Sequence, residues 1–295
     1  MLNIPLNKDF INEKNMVNNL LKKGYSVDFY ARNPKKTADV EKAGAVYHSS
    51  IKEALRDSDV IITMVGGPLD VEDLYFKENG IFDSVKKGSY LIDMTSSSPS
   101  LAIRLYNEAQ KRSLHSLDAP VTGGDVGARD GTLSVMVGGS EDDLNKVRDV
   151  LYAMAKTVTF LGSAGAGQHC KLVNQIMCAG CYAGMCEGLA YAKKKGLDLK
   201  QVIDAVSGGA AGSRALDMFG GRILVGDMMP GGQLSYLVKD LKNVENELSK
   251  GDLKLNMSKA VLDVYQAMID KGDGGLGVQA MYAYLLHQDH CLAQK

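Results

Sequence analysis

A lysine and an asparagine in one glycine-rich segment have the types and spacing to move a proton. The segment runs from Gly162 to Gln175, with Lys171 in the expected first turn of a helix. There the positive end of the helix dipole, together with partial burial, should lower the pKa of Lys171, which suits a general acid or base near neutral pH. Asn174 should share its helix face and could hold a substrate hydroxyl or carbonyl. An ordinary surface lysine is the alternative, and on this segment alone it is the more common case.

A second glycine-rich segment offers groups that could bind an anion. It extends from Asp118 to Gly139, and we expect Thr122, Gly123 and Gly124 at the carboxyl end of a strand. A hydroxyl and backbone N–H groups without side-chain cover suit a substrate carboxylate. A plain tight turn between two strands explains the same glycines equally well, so both interpretations stay open.

The elements that must position these residues differ between the two halves of the chain. In the first half, short β-branched or aromatic runs predict strands and amphipathic stretches predict helices, which together indicate a mostly parallel sheet. In the second half, a helical pattern runs from Gln168 to Lys195 and more helices follow. We predict an α/β domain over residues 1–163 and an all-helical domain over 164–295. The predicted strands are Tyr25–Tyr30, Asp59–Met64, Ser89–Met94, Leu114–Asp118, Leu133–Val137 and Thr157–Leu161.

Composition argues against several broad classes of function. The chain has 295 residues, and its formal net charge of -1, with Lys and Arg spread along the chain, argues against a nucleic-acid or anionic-membrane surface. The charged first residues lack the apolar centre of a signal peptide, and no apolar run approaches the roughly 18 residues that a membrane helix needs. Five cysteines form no disulfide scaffold, which favours a reducing compartment. We expect a cytoplasmic protein.

Ordered motifs along the chain resemble those of one enzyme family. Gly-x-Gly-x-x-x-Lys-x-x-Asn, from Gly165 to Asn174, and the segment ending at Gly139 resemble the catalytic motif and substrate loop of the β-hydroxyacid dehydrogenases. This family includes 3-hydroxyisobutyrate dehydrogenase and tartronate semialdehyde reductase and has the 6-phosphogluconate dehydrogenase type of fold. The resemblance, which begins at Met16, implies a Rossmann-type N-terminal domain, an all-α C-terminal domain and an active site between them. It also implies reversible hydride transfer between NAD(P) and a small β-hydroxyacid or its semialdehyde, with Lys171 as the acid/base.

The resemblance also assigns residues to the cofactor. Met64-Val65-Gly66 matches a cofactor loop, Asp93-Met-Thr-Ser96 matches the strand end that contacts the nicotinamide ribose, and Lys239-Asp240-Leu241 matches a lysine motif near the bound cofactor. Ala31-Arg32-Asn33 follows the second strand, where NAD enzymes usually have an acid for the ribose hydroxyls. Because Arg32 could pair with a 2′-phosphate instead, we expect NADP or NAD with NADP favoured. A solvated arginine is the alternative.

The first residues depart from the family pattern. Where the family has Gly-x-Gly-x-x-Gly, this chain has Lys8, Phe10 and Glu13. Glycine lets the backbone approach the pyrophosphate, whereas side chains at these positions would block that approach and Glu13 would repel phosphate. Either ordinary cofactor affinity is lost or the start of the sequence is altered, and the abrupt onset of the resemblance at Met16 favours the second. The rival to a working enzyme is a non-catalytic homologue with impaired cofactor binding.

One residue next to the catalytic motif bears on the substrate. Gln175 follows Asn174, as in the tartronate semialdehyde reductase branch, whereas the 3-hydroxyisobutyrate branch more often has a second asparagine. We therefore favour the reductase branch and a compact carboxylate substrate, although packing along the helix would explain Gln175 as well. We expect no nucleic-acid or membrane partner, and we expect a homodimer or homotetramer formed through the helical domain.

Two pairs of metal-type side chains do not make a convincing metal site. Cys178 and Cys181 have redox or zinc spacing but lie within a predicted helix with no second pair. His287 and His290 lie near the C-terminus, where a frayed polar helix end is the better interpretation. We predict no metal.

Overall fold

The computed structural model describes residues 2–6, 11–31, 33, 37–249 and 251–286. The chain divides into two units, Met1–Lys171 and Leu172–Lys295. The first contains strands and helices, and the second contains only helices and turns apart from one isolated bridge, as far as the described residues go. The domain limits predicted from the sequence, 1–163 and 164–295, stay a prediction.

One sheet forms the centre of the first unit. Its described strands are β1 (Leu2–Leu6), β2 (Val27–Ala31), β3 (Val46–His48), β4 (Val60–Thr63), β5 (Tyr90–Asp93), β6 (His115–Asp118), β7 (Val121–Thr122), β8 (Leu133–Gly138) and β9 (Ala155–Gly162). Their order is β3-β2-β1-β4-β5-β6-β8-β7, with β9 beside β8. The first six strands in this order, β3-β2-β1-β4-β5-β6, pair in parallel, and so do β8 and β9. Strand β8 is antiparallel to β6 and β7. The prediction of a mostly parallel sheet is confirmed.

Helices connect these strands. They are α1 (Ile11–Lys22), α2 (Ala38–Lys42), α3 (Ile51–Leu55), α4 (Pro68–Phe76), α5 (Ile81–Ser84), α6 (Pro99–Lys111), α7 (Gly124–Asp130) and α8 (Glu141–Tyr152). Serine side chains cap several of them, and Ser98 and Ser140 each accept a hydrogen bond from a backbone N–H three residues on. The strand order reverses between β1 and β4, and such a switch point is where α/β sheets bind nucleotides at the carboxyl ends of their strands.

Apolar side chains cover both faces of the sheet. Ile62 of β4 and Ile92 of β5 belong to one buried cluster, whereas their neighbours Ile61 and Leu91 belong to the other. Successive side chains of a strand point to opposite faces, so both faces of these two strands are packed. That explains why the sequence shows continuous apolar runs here and no alternation with polar residues.

The second unit contains most of the long helix α9 (Ala166–Lys194), which begins in the first unit. It continues with α10 (Leu199–Ser207), α11 (Arg214–Leu224), α12 (Leu234–Leu248), α13 (Asn256–Asp270), a short 3-10 helix (Val278–Ala280) and α14 (Met281–Leu286). Its core includes Leu237 and Leu241 of α12 and the fully buried Tyr265 of α13. Among the described residues, no helix combines the length and the apolar character needed to span a membrane.

The six strands predicted from the sequence all form, whereas β1, β3 and β7 were not predicted. Strand β1 contains Pro5, and proline within a central strand argues against that assignment because it has no N–H to donate. In the structure β1 pairs with β2 along its whole length, but its register with β4 covers only Leu2 and Asn3. Pro5 therefore lies beyond the stretch that has neighbours on both sides.

Two carboxylates lie side by side where β5 and β6 end. Asp93 and Asp118 are paired in register and both are buried. The Thr63 hydroxyl donates to Asp93 Oδ1 at 2.9 Å, and the backbone N–H of Thr95 donates to the same oxygen at 3.2 Å. Burial raises the pKa of Asp93 to about 6, although these hydrogen bonds oppose the shift.

Replacing Asp93 should flatten part of the pH dependence of stability. The folded-state pKa of about 6 lies above the ordinary value of 3.8, so ionisation of Asp93 costs stability as the pH rises through 6. Asp93→Asn keeps an acceptor oxygen but cannot ionise. The wild type should therefore gain about 1–2 kcal/mol of free energy of unfolding relative to this variant when the pH is lowered from 8 to 5. Urea titrations at the two pH values measure this gain. Asp57→Asn, which removes an exposed carboxylate, is the control; a constant difference for Asp93→Asn would contradict the prediction.

Candidate active site

A buried carboxylate holds the start of the long helix α9. Asp118 Oδ1 accepts a hydrogen bond from the backbone N–H of Gly165 at 2.8 Å, and Oδ2 accepts one from the N–H of Gln168, also at 2.8 Å. The first N–H groups of a helix have no partner within the helix, and its dipole is positive at this end. Burial raises the pKa of Asp118 above its usual value, and the hydrogen bonds from the helix oppose that rise. Asp118 therefore caps α9.

The glycines of the predicted catalytic motif leave room for this cap. A Cβ atom on Gly167 would lie 2.4 Å from the carbonyl oxygen of Met136 and 2.6 Å from that of Asp118. Gly165 has a φ of +91°, a conformation that favours glycine, and a Cβ there would lie 3.1 Å from Ile103. Gly167 thus reflects the close approach of α9 to β6 and β8, whereas Gly165 reflects its positive φ and the close approach of α6.

Lys171 is buried, with 8% of its surface exposed, and its Nζ donates to the carbonyl oxygen of Val121 at 2.9 Å. The surface lysine considered as an alternative is therefore wrong. The expected position in the first turn is also wrong, because α9 begins at Ala166 and Lys171 lies in its second turn. The helix field falls off within the first turn, and the Asp118 carboxylate opposes it, so this field acts on Lys171 less than expected. Burial remains as the environmental feature that distinguishes this lysine.

The segment predicted to bind a carboxylate ends a strand, as expected. Thr122 is the last residue of β7, which begins at Val121, and Gly123 and Gly124 are exposed. Gly123 has a φ of +130° and precedes α7. The chain does not turn directly into β8, because α7 intervenes; the alternative of a plain turn between two strands is therefore wrong. Thr122 directly follows the residue whose carbonyl oxygen holds Lys171.

Hydrogen bonds join the two predicted cofactor loops. The backbone N–H of Val65, after β4, donates to the Thr95 hydroxyl at 3.0 Å. Met64 and Gly66 are the residues on either side of this hydrogen-bonded position. Ser96 follows Thr95 and is half-buried. The next hydroxyl, Ser97 Oγ, is buried and has no hydrogen-bond partner among the described residues.

These loops fit a dinucleotide. One loop follows β4 and the other follows β5, so both lie at the carboxyl ends of neighbouring strands. The switch point of the sheet, between β1 and β4, is next to them. The orphaned hydroxyl of Ser97 is a polar group that a ribose or nicotinamide amide could satisfy. Of the other expected cofactor residues in this unit, Asn33 is exposed, and Arg32 lies outside the described residues.

Of the three residues that stand where the family has glycine, the structure describes Glu13. Lys8 and Phe10 lie outside the described residues. Glu13 lies in the first turn of α1 and is buried, with 7% of its surface exposed. Strand β1 and helix α1 both form, so the unusual start is compatible with the first strand and helix of the sheet.

A second group of predicted residues comes together within the helical unit. Gln175 Nε2 donates to Asp240 Oδ2 at 2.6 Å, and Lys239 Nζ lies 3.2 Å from Asp240 Oδ1. The amide of Asn174 donates to Gln175 Oε1 at 2.7 Å. Asp240 is buried, with 3% of its surface exposed. Asn174, Gln175, Asp240 and Lys239 therefore form one polar network, which joins α9 to α12.

Two residues that organise the site were missed by the sequence analysis. Asp118 is an acid at the end of a predicted buried strand, and Asp93 has the same position on the neighbouring strand. Two acids at matching strand ends are a pattern that the sequence analysis could have used to find Asp118. Gln168, which is fully buried, carries no such signal because it begins a predicted helix like any polar residue.

Cys178 and Cys181 are free thiols. No group of three metal-type ligands occurs in the part of the chain that the structure describes, and His287 and His290 lie outside it.

Family models match both units. Residues 14–162 match the NAD binding domain of 6-phosphogluconate dehydrogenase, and residues 165–285 match a model described as NAD-binding of NADP-dependent 3-hydroxyisobutyrate dehydrogenase. The two matches meet close to the start of α9. The first model begins at residue 14, after the segment that departs from the glycine pattern.

Full-length relatives agree with these matches. A probable 3-hydroxyisobutyrate dehydrogenase-like mitochondrial protein of Arabidopsis thaliana is 38% identical over 92% of this chain and 83% of its own length. The 2-hydroxy-3-oxopropionate reductase of Escherichia coli is 34% identical over 85% of this chain and 86% of its own. The structure of Mycobacterium tuberculosis 3-hydroxyisobutyrate dehydrogenase with L-serine superimposes with a TM-score of 0.86, at 25% identity over 97% of this chain and 99% of that one.

A methyl group on Gly167 should disturb the site by forcing α9 away from β6 and β8. Gly167→Ala is expected to lower the free energy of unfolding by about 1–3 kcal/mol, because the added Cβ meets two backbone carbonyls that cannot rotate away. Gly221→Ala, in helix α11 with no atom within 4 Å of the added Cβ, is the control and should stabilise the protein by up to about 1 kcal/mol. Urea unfolding measures both, and equal effects of the two variants would contradict the packing argument.

Proposed function

Since the chain belongs to the β-hydroxyacid dehydrogenase family and is an NAD(P)-dependent oxidoreductase, we propose that Lys171 is its general acid/base. The supporting observation is the setting of this side chain. Its ammonium group is buried and held at 2.9 Å by the carbonyl oxygen of Val121, one residue before the predicted carboxylate cradle. A lysine fixed in this way can exchange a proton with a substrate oxygen bound beside Thr122.

The remaining residues take roles that follow from their chemistry. The Thr122 hydroxyl and the N–H groups of Gly123 and Gly124 hold the substrate carboxylate, and the Asn174 amide holds the hydroxyl or carbonyl that reacts. The bound nicotinamide supplies or accepts the hydride. In reduction Lys171 gives a proton to the new hydroxyl oxygen, and in oxidation it takes that proton back. Fixed donors of this kind lower the cost of orienting the substrate before reaction.

In this proposal the residues of the family's cofactor motifs would hold the dinucleotide. Met64, Val65 and Gly66 would line it, Ser96 would contact the nicotinamide ribose, and Lys239 would interact with the bound cofactor. Arg32 and Asn33 would serve the adenosine end. We favour NADP because Arg32 can pair with a 2′-phosphate, where an acid would accept the ribose hydroxyls of NAD.

The comparisons do not favour the non-catalytic alternative. The relatives with named activities are dehydrogenases and reductases, and Lys171, Asn174 and Lys239 are present together. Strand β1 and helix α1 form although Lys8, Phe10 and Glu13 replace the glycines, so cofactor affinity is the property that these side chains would affect.

The substrate is a small β-hydroxyacid or its semialdehyde, and we propose the 2-hydroxy-3-oxopropionate (tartronate semialdehyde) branch. Gln175 supports this choice by its type, and its hydrogen bond to Asp240 gives it a defined function in the network that holds Lys239. The cradle of one hydroxyl and two backbone amides suits a compact carboxylate.

We further propose that the enzyme is a cytoplasmic homodimer or homotetramer assembled through its helical unit. Large apolar side chains of this unit are exposed, among them Met177 at 67%, Tyr191 at 65% and Met257 at 79%. Exposed apolar groups of this size mark association surfaces when they are contiguous. Sedimentation equilibrium tests the oligomeric state, and a particle of 31.7 kDa, the mass of one chain, would refute the proposed oligomer.

The proposed cytoplasmic location is supported by the low cysteine content and the absence of a disulfide pattern in the sequence.

Removal of the Lys171 ammonium should abolish most activity without unfolding the protein. Lys171→Ala is expected to lower kcat by about 10²–10⁴, the usual contribution of a general acid or base. Lys193→Ala removes an exposed lysine from the same helix and should leave kcat unchanged. Steady-state kinetics and far-UV circular dichroism measure both properties, and a Lys171→Ala enzyme within threefold of wild type would remove this lysine from the mechanism.

A kinetic panel tests the substrate branch and the cofactor preference. We expect the highest kcat/KM with tartronate semialdehyde, and lower values with methylmalonate semialdehyde, succinic semialdehyde and glyoxylate. Each substrate is assayed with NADPH and with NADH, and NADPH should give the higher value. Best activity on one of the other three substrates would overturn the branch, and no activity at proven cofactor occupancy would move the protein to the non-catalytic class.

A further inference from the structure

Gln168 binds the loop that follows β5 with its side chain and the end of β6 with its backbone. Its Oε1 accepts a hydrogen bond from the Ser97 N–H at 2.9 Å, and its Nε2 donates to the Thr95 carbonyl oxygen at 2.8 Å. Its own backbone N–H donates to Asp118 at 2.8 Å. Every polar atom of the side-chain amide group thus has a partner on the loop that follows β5, and the residue is fully buried.

The loop that Gln168 holds is the one predicted to contact the nicotinamide ribose. Thr95 also accepts the N–H of Val65 through its hydroxyl, so a hydrogen bond joins the loops after β4 and β5. Lys171 lies three residues after Gln168, almost one helical turn along α9. A single side chain therefore connects the predicted cofactor loops to the helix that carries the lysine.

We propose that Gln168 is a positioning residue that sets the distance between the cofactor loop and Lys171. This inference rests on the proposed role of Lys171. Hydride transfer and proton transfer act on neighbouring atoms of one substrate, so the nicotinamide and the lysine must be held at a fixed separation. Displacements of about 1 Å at such sites cost up to about a hundredfold in rate. Gln168 fixes that separation with two hydrogen bonds to backbone atoms, which side-chain rotation cannot shift.

Gln168→Met tests the proposal because methionine has a similar length but cannot make either hydrogen bond. We expect kcat to fall about 10- to 100-fold while the KM for the semialdehyde changes less than threefold. Ser89→Ala is the matched control, since it removes another buried hydrogen bond, from the Ser89 hydroxyl to the Ser58 carbonyl oxygen at 3.0 Å, at the opposite end of β5. Its kcat should stay within twofold of wild type. An unchanged kcat in Gln168→Met would overturn the proposal.

Hydrogen exchange of the cofactor-free protein provides a readout that does not depend on activity. The Ser97 N–H should exchange at least tenfold faster in Gln168→Met, because its acceptor is gone, and should be unaffected in Ser89→Ala. If Gln168→Met does not fold, Gln168→Asn serves instead, since it keeps the amide but is too short to span both partners. Unchanged exchange at Ser97 would show that Gln168 does not hold the loop.

A double-mutant cycle separates this inference from the role of Lys171. If Gln168 acts through the lysine, Gln168→Met should lower kcat less than twofold in a Lys171→Ala background. Full loss in both backgrounds would overturn the positioning role while leaving Lys171 in place. Retention of activity in Lys171→Ala alone would instead refute the proposed function.

Discussion

The interaction on which the site depends is the one between the Asp118 carboxylate and the first turn of α9. Asp118 lies three residues before Val121 and accepts the N–H of Gln168, which lies three residues before Lys171. Asp118 therefore fixes the first turn of the helix that carries Lys171, whereas the pairing of β7 with β8 places Val121, the other partner of the Lys171 hydrogen bond. If this carboxylate were removed, buried N–H groups would lose their acceptor, at about 1–3 kcal/mol each. The close approach of Asp118 to α9 also explains why glycine is required at Gly167.

A second consequence of this arrangement is that the two acids at the ends of β5 and β6 have different functions. Asp118 binds a helix, whereas Asp93 binds Thr63 of β4 and Thr95, which lies in one of the two loops predicted to bind the cofactor. Their side-by-side register brings the two systems next to each other, and Gln168 joins them. In the helical unit Asp240 performs a similar function for Gln175 and Lys239. Buried carboxylates thus organise both groups of predicted site residues.

The sequence predicted the strands and helices that have strong apolar patterns, and it missed those that depend on their surroundings. Helix α6 is of the first kind, because its start carries Pro99 and a serine cap, which are recognisable in sequence. Helix α7 was missed, since Gly124 and Gly127 lower its intrinsic helix propensity. Strand β1 was also not predicted, and it contains Pro5, which has no N–H to donate to a neighbouring strand. These elements form because of contacts with the rest of the sheet, which a window of sequence does not contain.

The same distinction applies to the site. Lys171 was found through its motif, but its burial and its bond to Val121 depend on the pairing of β7 with β8, which brings Val121 opposite Val135. The placement of Lys171 in the first turn of α9 was wrong because Ala166 and Gly167 already belong to the helix. Gln168 could not be recognised, since its partners are backbone atoms some seventy residues earlier in the chain. Hydrogen bonds of this kind leave no pattern of residue types.

The position of β1 has a consequence for synthesis of the protein. Its neighbours are β2 and β4, so one edge of the nascent β1–β2 pair stays open until the chain has been made past Thr63. An open edge with unpaired N–H and C=O groups can join a strand of another chain, which is a common route to aggregation. Pro5 removes one donor from that strand, as proline does in natural edge strands. Fewer donors on β1 leave fewer hydrogen bonds for a strand of another chain to make before β4 joins the sheet.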